Sequence, residues 1–324
     1  MDQFKKVLVS ICIVALALLI IFNRYTNEFI QATKKQTQTV SKEKDRLLME
    51  IEQAAKKYYI PAENAKVDRV WYAMPGYNGL QVDIQSSYKQ MKKSQQFDEK
   101  KLVFKQIKPD VVLQDLPAEP IYRGHPEKPM VSFLINVAWG NEYLPKILQT
   151  LESHQVYATF FLEGRWAKSN PEMAQMIVEY GHEIGNHSYS HPQMENLSKQ
   201  AQWDEMKQTN DVIEAITEKK VEWFGPPSGG YNDETVKTAL ELNMRTVMWT
   251  VDTIDWQKPS ANVLIQRVMS KVHPGAMILM HPTEPTAEAM DELITQLKQK
   301  QLRIGTVSKL LSEERINLTQ NFKE

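Results

Sequence analysis

Two histidines, His187 and His191, stand four residues apart in the segment Gly181-His-Glu-Ile-Gly-Asn-His-Ser-Tyr-Ser-His-Pro192. The segment follows a short apolar run that reads as a strand, so the pair falls on a turn rather than inside a long helix. Two imidazoles at this spacing can close on one metal ion when a third ligand arrives from elsewhere in the fold. Further polar groups recur at comparable places. Asn136 ends the apolar run 130–137, the turn Gly225-Pro-Pro-Ser-Gly-Gly230 follows Phe224, Asp252, Asp255 and Trp256 follow Val251, and His281 follows Met280. Each has an ordinary structural explanation when taken alone. Together they place polar groups after five apolar runs, at the strand ends where α/β barrels keep their chemistry.

Those positions need a scaffold of alternating strands and helices, and the sequence supplies one. After residue 129, strand signals at 130–137, 157–162, 221–224, 245–251, 276–280 and 303–307 alternate with helical periodicity at 142–154, 171–180, 197–217, 232–242, 263–272 and 286–300. The alternation implies a largely parallel sheet with outer helices, open or closed as a barrel. Before it, 44–58 reads as an amphipathic helix. Strand signals at 67–73, 80–84 and 101–107 make a small α+β module with no nucleophile–base pair or metal cluster, read as a spacer or wall-contacting unit. Five prolines between 109 and 129 resist helix and ladder alike, and mark an interdomain linker. The expected division is therefore 1–26, 27–108, 109–129, 130–310 and a tail at 311–324.

The bulk composition narrows the function. The 324-residue chain carries a formal net charge of -1, which argues against nucleic-acid binding. Its single cysteine, Cys12, allows neither an intrachain disulfide nor a thiolate metal cluster. Residues 7–22 are apolar apart from Ser10 and follow Lys5 and Lys6. As a helix this run would reach ~24 Å, against ~30 Å of hydrocarbon. We read it as an uncleaved membrane anchor with the remainder of the chain outside; secretion after signal cleavage is the alternative.

Over about residues 128–310 the chain resembles the polysaccharide deacetylases of carbohydrate esterase family 4, the NodB-homology domain, whose fold is a distorted (β/α) barrel. The resemblance rests on Gly185-Asn-His-Ser-Tyr-Ser-His191, Asp252-Thr-Ile-Asp-Trp256, Ile278-Leu-Met-His281 and the proline turn Phe224-Gly-Pro-Pro-Ser-Gly229. The whole chain is similar to the membrane-anchored, sporulation-associated deacetylase-like proteins of Gram-positive spore formers. The resemblance implies a divalent metal, usually zinc, held by an Asp and two His, with a second Asp as base and a His as proton donor. Carried over, His187 and His191 are the metal imidazoles, His281 is the proton donor, and Asp252 is the carboxylate that orients it. Trp256 and Pro227 belong to the substrate groove, and the backbone N–H of Ser228 serves the oxyanion. The implied partner is cell-wall glycan, peptidoglycan or another N-acetylglucosamine polymer.

The departures are chemical. The family's first motif reads Thr-Phe-Asp-Asp-Gly, whereas this strand reads Ser-Phe-Leu-Ile-Asn-Val-Ala-Trp-Gly over 132–140. We expect Asn136 at the base position, Val137 at the metal carboxylate, and Gly225 in place of the motif arginine. Asn accepts no proton near neutral pH, and acid–base catalysis supplies about 10²–10⁴ in rate. Two imidazoles and water would hold zinc weakly. The sequence therefore leads to a slow metal-dependent N-deacetylase. The alternatives are a catalytically inactive glycan-binding relative, or a purely structural wall or spore protein.

Overall fold

The computed structural model describes residues 7–9, 13, 15, 18 and 22–316, with the backbone alone for 35–45. The expected anchor over 7–22 falls largely outside the described residues. Among the described residues no helix is long and apolar enough to cross a membrane.

The chain divides into two compact units, 1–60 with 80–105, and 61–79 with 106–324. In the smaller unit a helix spans Arg24–Lys57, much longer than the amphipathic stretch 44–58. Its apolar face presents Leu47, Ile51, Ala54 and Tyr58, all buried. The short helix Ile84–Met91, capped by Asp83 whose side chain accepts the Ser86 N–H, packs against it.

In the larger unit, the run 67–73 is a hairpin rather than one strand, with β1 (Lys66–Asp68) antiparallel to β2 (Tyr72–Met74). The Asp68 carboxylate accepts the backbone N–H groups of Val70 and Trp71 and so closes the turn between them. Strands β3 (Gly79–Val82) and β4 (Phe104–Ile107), most of whose residues belong to the smaller unit, form a second two-stranded sheet.

Eight parallel strands build the main sheet: β5 (Met130–Val137), β6 (Thr159–Leu162), β7 (Glu183–Asn186), β8 (Trp223–Phe224), β9 (Arg245–Thr246), β10 (Val251–Asp252), β11 (Met277–Met280) and β12 (Arg303–Ile304). Their order is β10-β11-β5-β6-β7-β8-β9, with β12 paired to the start of β5. The two ends, β9 and β10, are not ladder partners. They are the halves of one expected strand, 245–251, broken where Met248 donates to the Ile121 carbonyl and Thr250 to that of Met277. The barrel is thus open at this seam, a half-barrel rather than a closed ring.

The period of two decides which face each β5 residue serves. Val131, Phe133, Ile135 and Val137 join the core between sheet and helices, with Leu144, Ile147 and Leu148 of the helix Leu144–Ser153. Met130 and Leu134 face the barrel interior with Phe161, Trp223, Val247 and Met277, which Val307, Leu310 and Leu311 of the helix Val307–Leu311 help to fill.

The proline-bearing stretch 109–129 is not a free linker, since it lies within the larger unit. Ile121 is fully buried and donates its N–H to Thr246. The Arg245 guanidinium donates to the carbonyls of Gln114, Leu116 and Pro117, satisfying acceptors that no ladder reaches. Prolines prevented the segment from pairing as a strand; they did not prevent it from packing.

Candidate functional site

The loop carrying the paired histidines is fixed from below by the helix Lys199–Thr217. Asn186, the last residue of β7, donates to the Met206 carbonyl and the Asn210 side chain, and accepts the Ser188 N–H. Glu205 accepts the N–H groups of Tyr189 and Ser190 and the Ser190 hydroxyl at 2.7–2.9 Å. Ser188 and His191 both adopt positive φ, 61° and 58°, a conformation these external bonds sustain. His187 and His191 end with ring centroids 5.0 Å apart and planes at 73°.

His187 is buried, and its Nδ1–H donates to the Gly225 carbonyl at 2.6 Å. That bond sets the tautomer and leaves Nε2 with its lone pair. Burial, reinforced by neighbouring His191, pushes its pKa down to about 3, so the ring is neutral. Burial lowers His191 as well.

These rings line a cavity of about 420 Å³ together with Asn136, Ala138, Trp139, Ser228, Trp249, Asp252, Trp256, Leu279 and His281. The geometry thus gathers His187, His191, His281, Asn136, Ser228, Asp252 and Trp256, but not Pro227. Pro227 is buried in the single turn Pro227–Gly229, behind Ser228, whose φ is 54°.

The carboxylate on His281 is Asp255 rather than Asp252. Asp255 has no exposed surface; its two oxygens accept His281 Nδ1–H at 2.8 Å, the His281 backbone N–H at 2.6 Å and the Thr286 hydroxyl at 2.6 Å. Burial alone would raise this carboxyl, yet the bonds from His281 and Thr286 outweigh it and hold it below the usual range. Asp252 lines the cavity and accepts the Ile254 N–H, 2.8 Å away. The reason is local: Ile254 takes a left-handed conformation, φ 52°, which turns the chain and carries the second carboxylate of Asp-Thr-Ile-Asp inward.

The first motif also lies elsewhere. Val137 has no exposed surface and belongs to the core under the helices, so it is no substitute for a ligand. Counted back residue by residue from Gly140, Thr-Phe-Asp-Asp-Gly falls on Asn136-Val-Ala-Trp-Gly140, which puts its two carboxylates at Ala138 and Trp139. Both line the cavity. Gly140 has φ 85°, and a Cβ there would collide with the Pro282 carbonyl, as a motif glycine at a tight turn requires. The loop beyond is tied down by Trp166, whose indole N–H donates to the Asn141 side chain. Trp139 is 47 % exposed and stacks on His281, with ring centroids 5.8 Å apart and planes at 9°.

The donors present do not fit a three-ligand metal centre. Among the described residues no group of three His, Cys, Asp or Glu could hold a metal ion. Two neutral imidazoles stand ready, and an indole occupies the place of the carboxylate that would complete them. At Gly225 a Cβ would stand 2.9 Å from the Phe161 ring, so the space an arginine stem would need is already filled.

Comparison with known proteins agrees with the three-dimensional arrangement. Residues 123–247 match the polysaccharide deacetylase family. The chain is 53% identical over 294 residues to the uncharacterized protein YlxY of Bacillus subtilis, covering 91% of this chain and 92% of that one. It is 35% identical over 181 residues to a peptidoglycan-N-acetylglucosamine deacetylase of Bacillus cereus, covering 54% of this chain and 66% of that enzyme. Among solved structures, BA3943 of Bacillus anthracis, described as a family 4 pseudoenzyme, shares 55% identity with a TM-score of 0.78, covering 83% of this chain and 96% of that one. A mutant of BA3943 is described as having restored enzymatic activity. With its half-barrel, histidine loop and His–Asp pair set as the motifs require, the chain belongs to the polysaccharide deacetylases of carbohydrate esterase family 4.

Proposed function

We propose that this protein is a catalytically silent family 4 relative that binds N-acetylated cell-wall glycan in the cavity between Trp139, Trp249 and Trp256. The observation that carries the reading is the pair Ala138 and Trp139, which stand where the motif has its base and its metal carboxylate. With Ala and Trp at these two positions the motif's base is missing, which removes about 10²–10⁴ in rate. Any divalent metal would rest on His187, His191 and solvent alone, a weak hold. What the exchange adds is an aromatic face: Trp139, Trp249 and Trp256 line one cavity, and Trp139 and Trp256 are about half exposed. Indole rings offer flat apolar surface with a polar N–H, suited to the C–H faces and hydroxyls of a sugar. The description of BA3943 as a pseudoenzyme supports the same reading for a chain this similar.

The substrate class follows from the relatives, which include deacetylases named for peptidoglycan. We place the protein at the cell envelope with the barrel outside, because residues 7–22 form an apolar run behind Lys5 and Lys6.

The test is an acetate-release assay with zinc, cobalt or manganese on N-acetylglucosamine oligomers, beside calorimetric titration of the same oligomers. No acetate with measurable binding, weakened in Trp139→Ala and Trp256→Ala, is the expected result. Acetate release by the unaltered protein above a His281→Ala control would overturn catalytic silence. Absence of any glycan binding would overturn the rest.

A further inference from the structure

An aromatic strip leads away from the cavity along residues the deacetylase motifs do not include. It starts at Trp249, which lines the cavity and packs so closely on Gly229 that a Cβ there would stand 2.7 Å from its ring. Two residues on, the Tyr231 hydroxyl is 2.9 Å from that of Tyr122. The Tyr122 ring stacks on Tyr72, with centroids 5.8 Å apart and planes at 26°. Beside Tyr72 on the β1–β2 hairpin, the Trp71 ring carries the Arg123 guanidinium 5.4 Å from its centroid. Arg123 is itself anchored by donating to the Pro274 carbonyl at 3.0 Å.

Three features separate this strip from an ordinary packed surface. It is accessible at its outer end, where Tyr72 is 40% exposed with Val70 and Val67 beside it at 66% and 47%, while Trp71 and Tyr122 are half-buried. Its rings are held by named partners, so little side-chain freedom remains to be lost on binding. Tyr72 also sits at φ 54°, costly for a large aromatic residue, and its backbone is held there by pairing with Ile121. Strain of this kind persists where surrounding structure enforces it, and here it presents a ring outward.

We propose that Trp71, Tyr72 and Tyr122 form a distal subsite for the same glycan chain that enters the cavity, so that a long N-acetylated polysaccharide is held at two places. The inference rests on the glycan-binding reading above. The occupant is a polysaccharide rather than a protein because the chain itself carries the strip out of the cavity lining: Ser228 lines the cavity, Trp249 packs on Gly229, and Tyr231 follows two residues later. Rings interleaved with phenol hydroxyls and one guanidinium also provide the alternation of apolar and polar contacts that a sugar chain presents.

Titration of the full chain with N-acetylglucosamine disaccharide and with a long chitin-type oligomer tests the subsite. The unaltered protein should bind the long oligomer at least about tenfold more tightly than the disaccharide, a gain of ~1.4 kcal/mol. Trp71→Leu keeps an apolar side chain and Tyr122→Phe keeps the ring; Trp71→Leu should erase most of that gain and leave disaccharide binding unchanged. Trp139→Ala should weaken both ligands. A Trp71→Ala, Tyr72→Ala double variant, checked by its thermal melt, provides a stronger deletion. Equal affinity for both ligands in the unaltered protein overturns the subsite, as does an oligomer affinity that survives both Trp71→Leu and the double variant. Equal loss for both ligands in Trp71→Leu would place the ring's effect in the cavity and overturn the subsite too. Binding of neither ligand overturns the subsite together with the glycan reading, whereas disaccharide binding without a length effect removes the subsite alone.

Discussion

Placing the two missing carboxylates at Ala138 and Trp139, rather than at Asn136 and Val137, has a consequence that stability and metal titration read together. Val137→Asp introduces a carboxyl among Ile135, Leu144, Ile147 and Leu148 at a position with no exposed surface. It loses the burial of a valine, about 1.5 kcal/mol. It also buries a polar group with no partner, about 1–3 kcal/mol by mutational measures even after the group neutralises itself. The expected loss is ~2.5–4.5 kcal/mol, a large fraction of a domain's stability. Trp139→Asp is made on a half-exposed side chain at the cavity lip and should cost about 1 kcal/mol or less, chiefly the stack on His281. In return it offers a third ligand beside His187 and His191, and zinc affinity should rise by at least about tenfold, since even an outer-shell partner is worth about 10–100-fold. Urea unfolding and zinc calorimetry on the two single variants make the comparison. A Val137→Asp protein as stable as the parent and binding zinc more tightly than Trp139→Asp would refute the register. The double change Ala138→Asp with Trp139→Asp should then release acetate, though slowly, because Gly225 still lacks the motif arginine.

Other perturbations test the remaining contacts. Asp255→Asn removes the charge facing His281 and leaves buried donors poorly matched, so unfolding free energy should fall by about 3 kcal/mol or more, against about 1 kcal/mol or less for Asp252→Asn; equal losses in urea titration would return the orienting role to Asp252. Because bonds depress the Asp255 carboxyl below its usual range, its contribution is present above the unfolded value near 3.8 and disappears as pH falls through the folded one. The pH melt of Asp255→Asn should therefore be flatter than the parent's below about pH 4. His187 and His182, lowered to about 3 and about 4 by burial, act higher up. Below about pH 6.5 the unfolded chain takes protons the folded one refuses, so stability falls steadily from there toward pH 4; a melting temperature constant across that window would contradict the buried neutral rings. Glu205→Gln should loosen the histidine loop without unfolding the barrel, seen as faster amide exchange at Tyr189 and Ser190, both of which donate to that carboxylate.

The amino-acid pattern carries the alternation of elements and the types of residue at strand ends, but it does not carry direction. The runs at 130–137 and 276–280 show their strands because both are buried along nearly their whole length. The run 245–251 reads as one strand because hydrophobicity does not record which partner each amide finds; here Ile121 and Met277 take Met248 and Thr250 away from the ladder. The stretch 109–129 reads as a linker because its partners are distant in sequence: the carbonyls of Gln114, Leu116 and Pro117 are met by the Arg245 guanidinium and that of Ile121 by Met248. At the site, His187 and His191 are legible from their spacing and His281 from its place after an apolar run. Asp252 and Asp255 are not separable, since the choice depends on a left-handed residue between them, Ile254, that carries no glycine to announce it.

The same contacts explain how a deacetylase site can lose its chemistry and keep its outline. Asp255 accepts from His281 and Thr286 with no surface exposed, Asn186 and Glu205 hold the histidine loop, and His187 closes on the Gly225 carbonyl. Substituting any of these leaves a buried donor or charge unpaired, at about 1–3 kcal/mol for each neutral group and more for a charge. The barrel therefore draws stability from them whether or not any bond is cleaved. Ala138 and Trp139 carry no such burden: they follow the last residue of β5, they face the cavity, and Trp139 is half exposed. Exchanging a carboxylate there costs catalysis and little stability. A preserved His281–Asp255 pair is for that reason an indication of fold, and the residues at 138 and 139 are the ones that decide whether such a fold hydrolyses its glycan or only holds it.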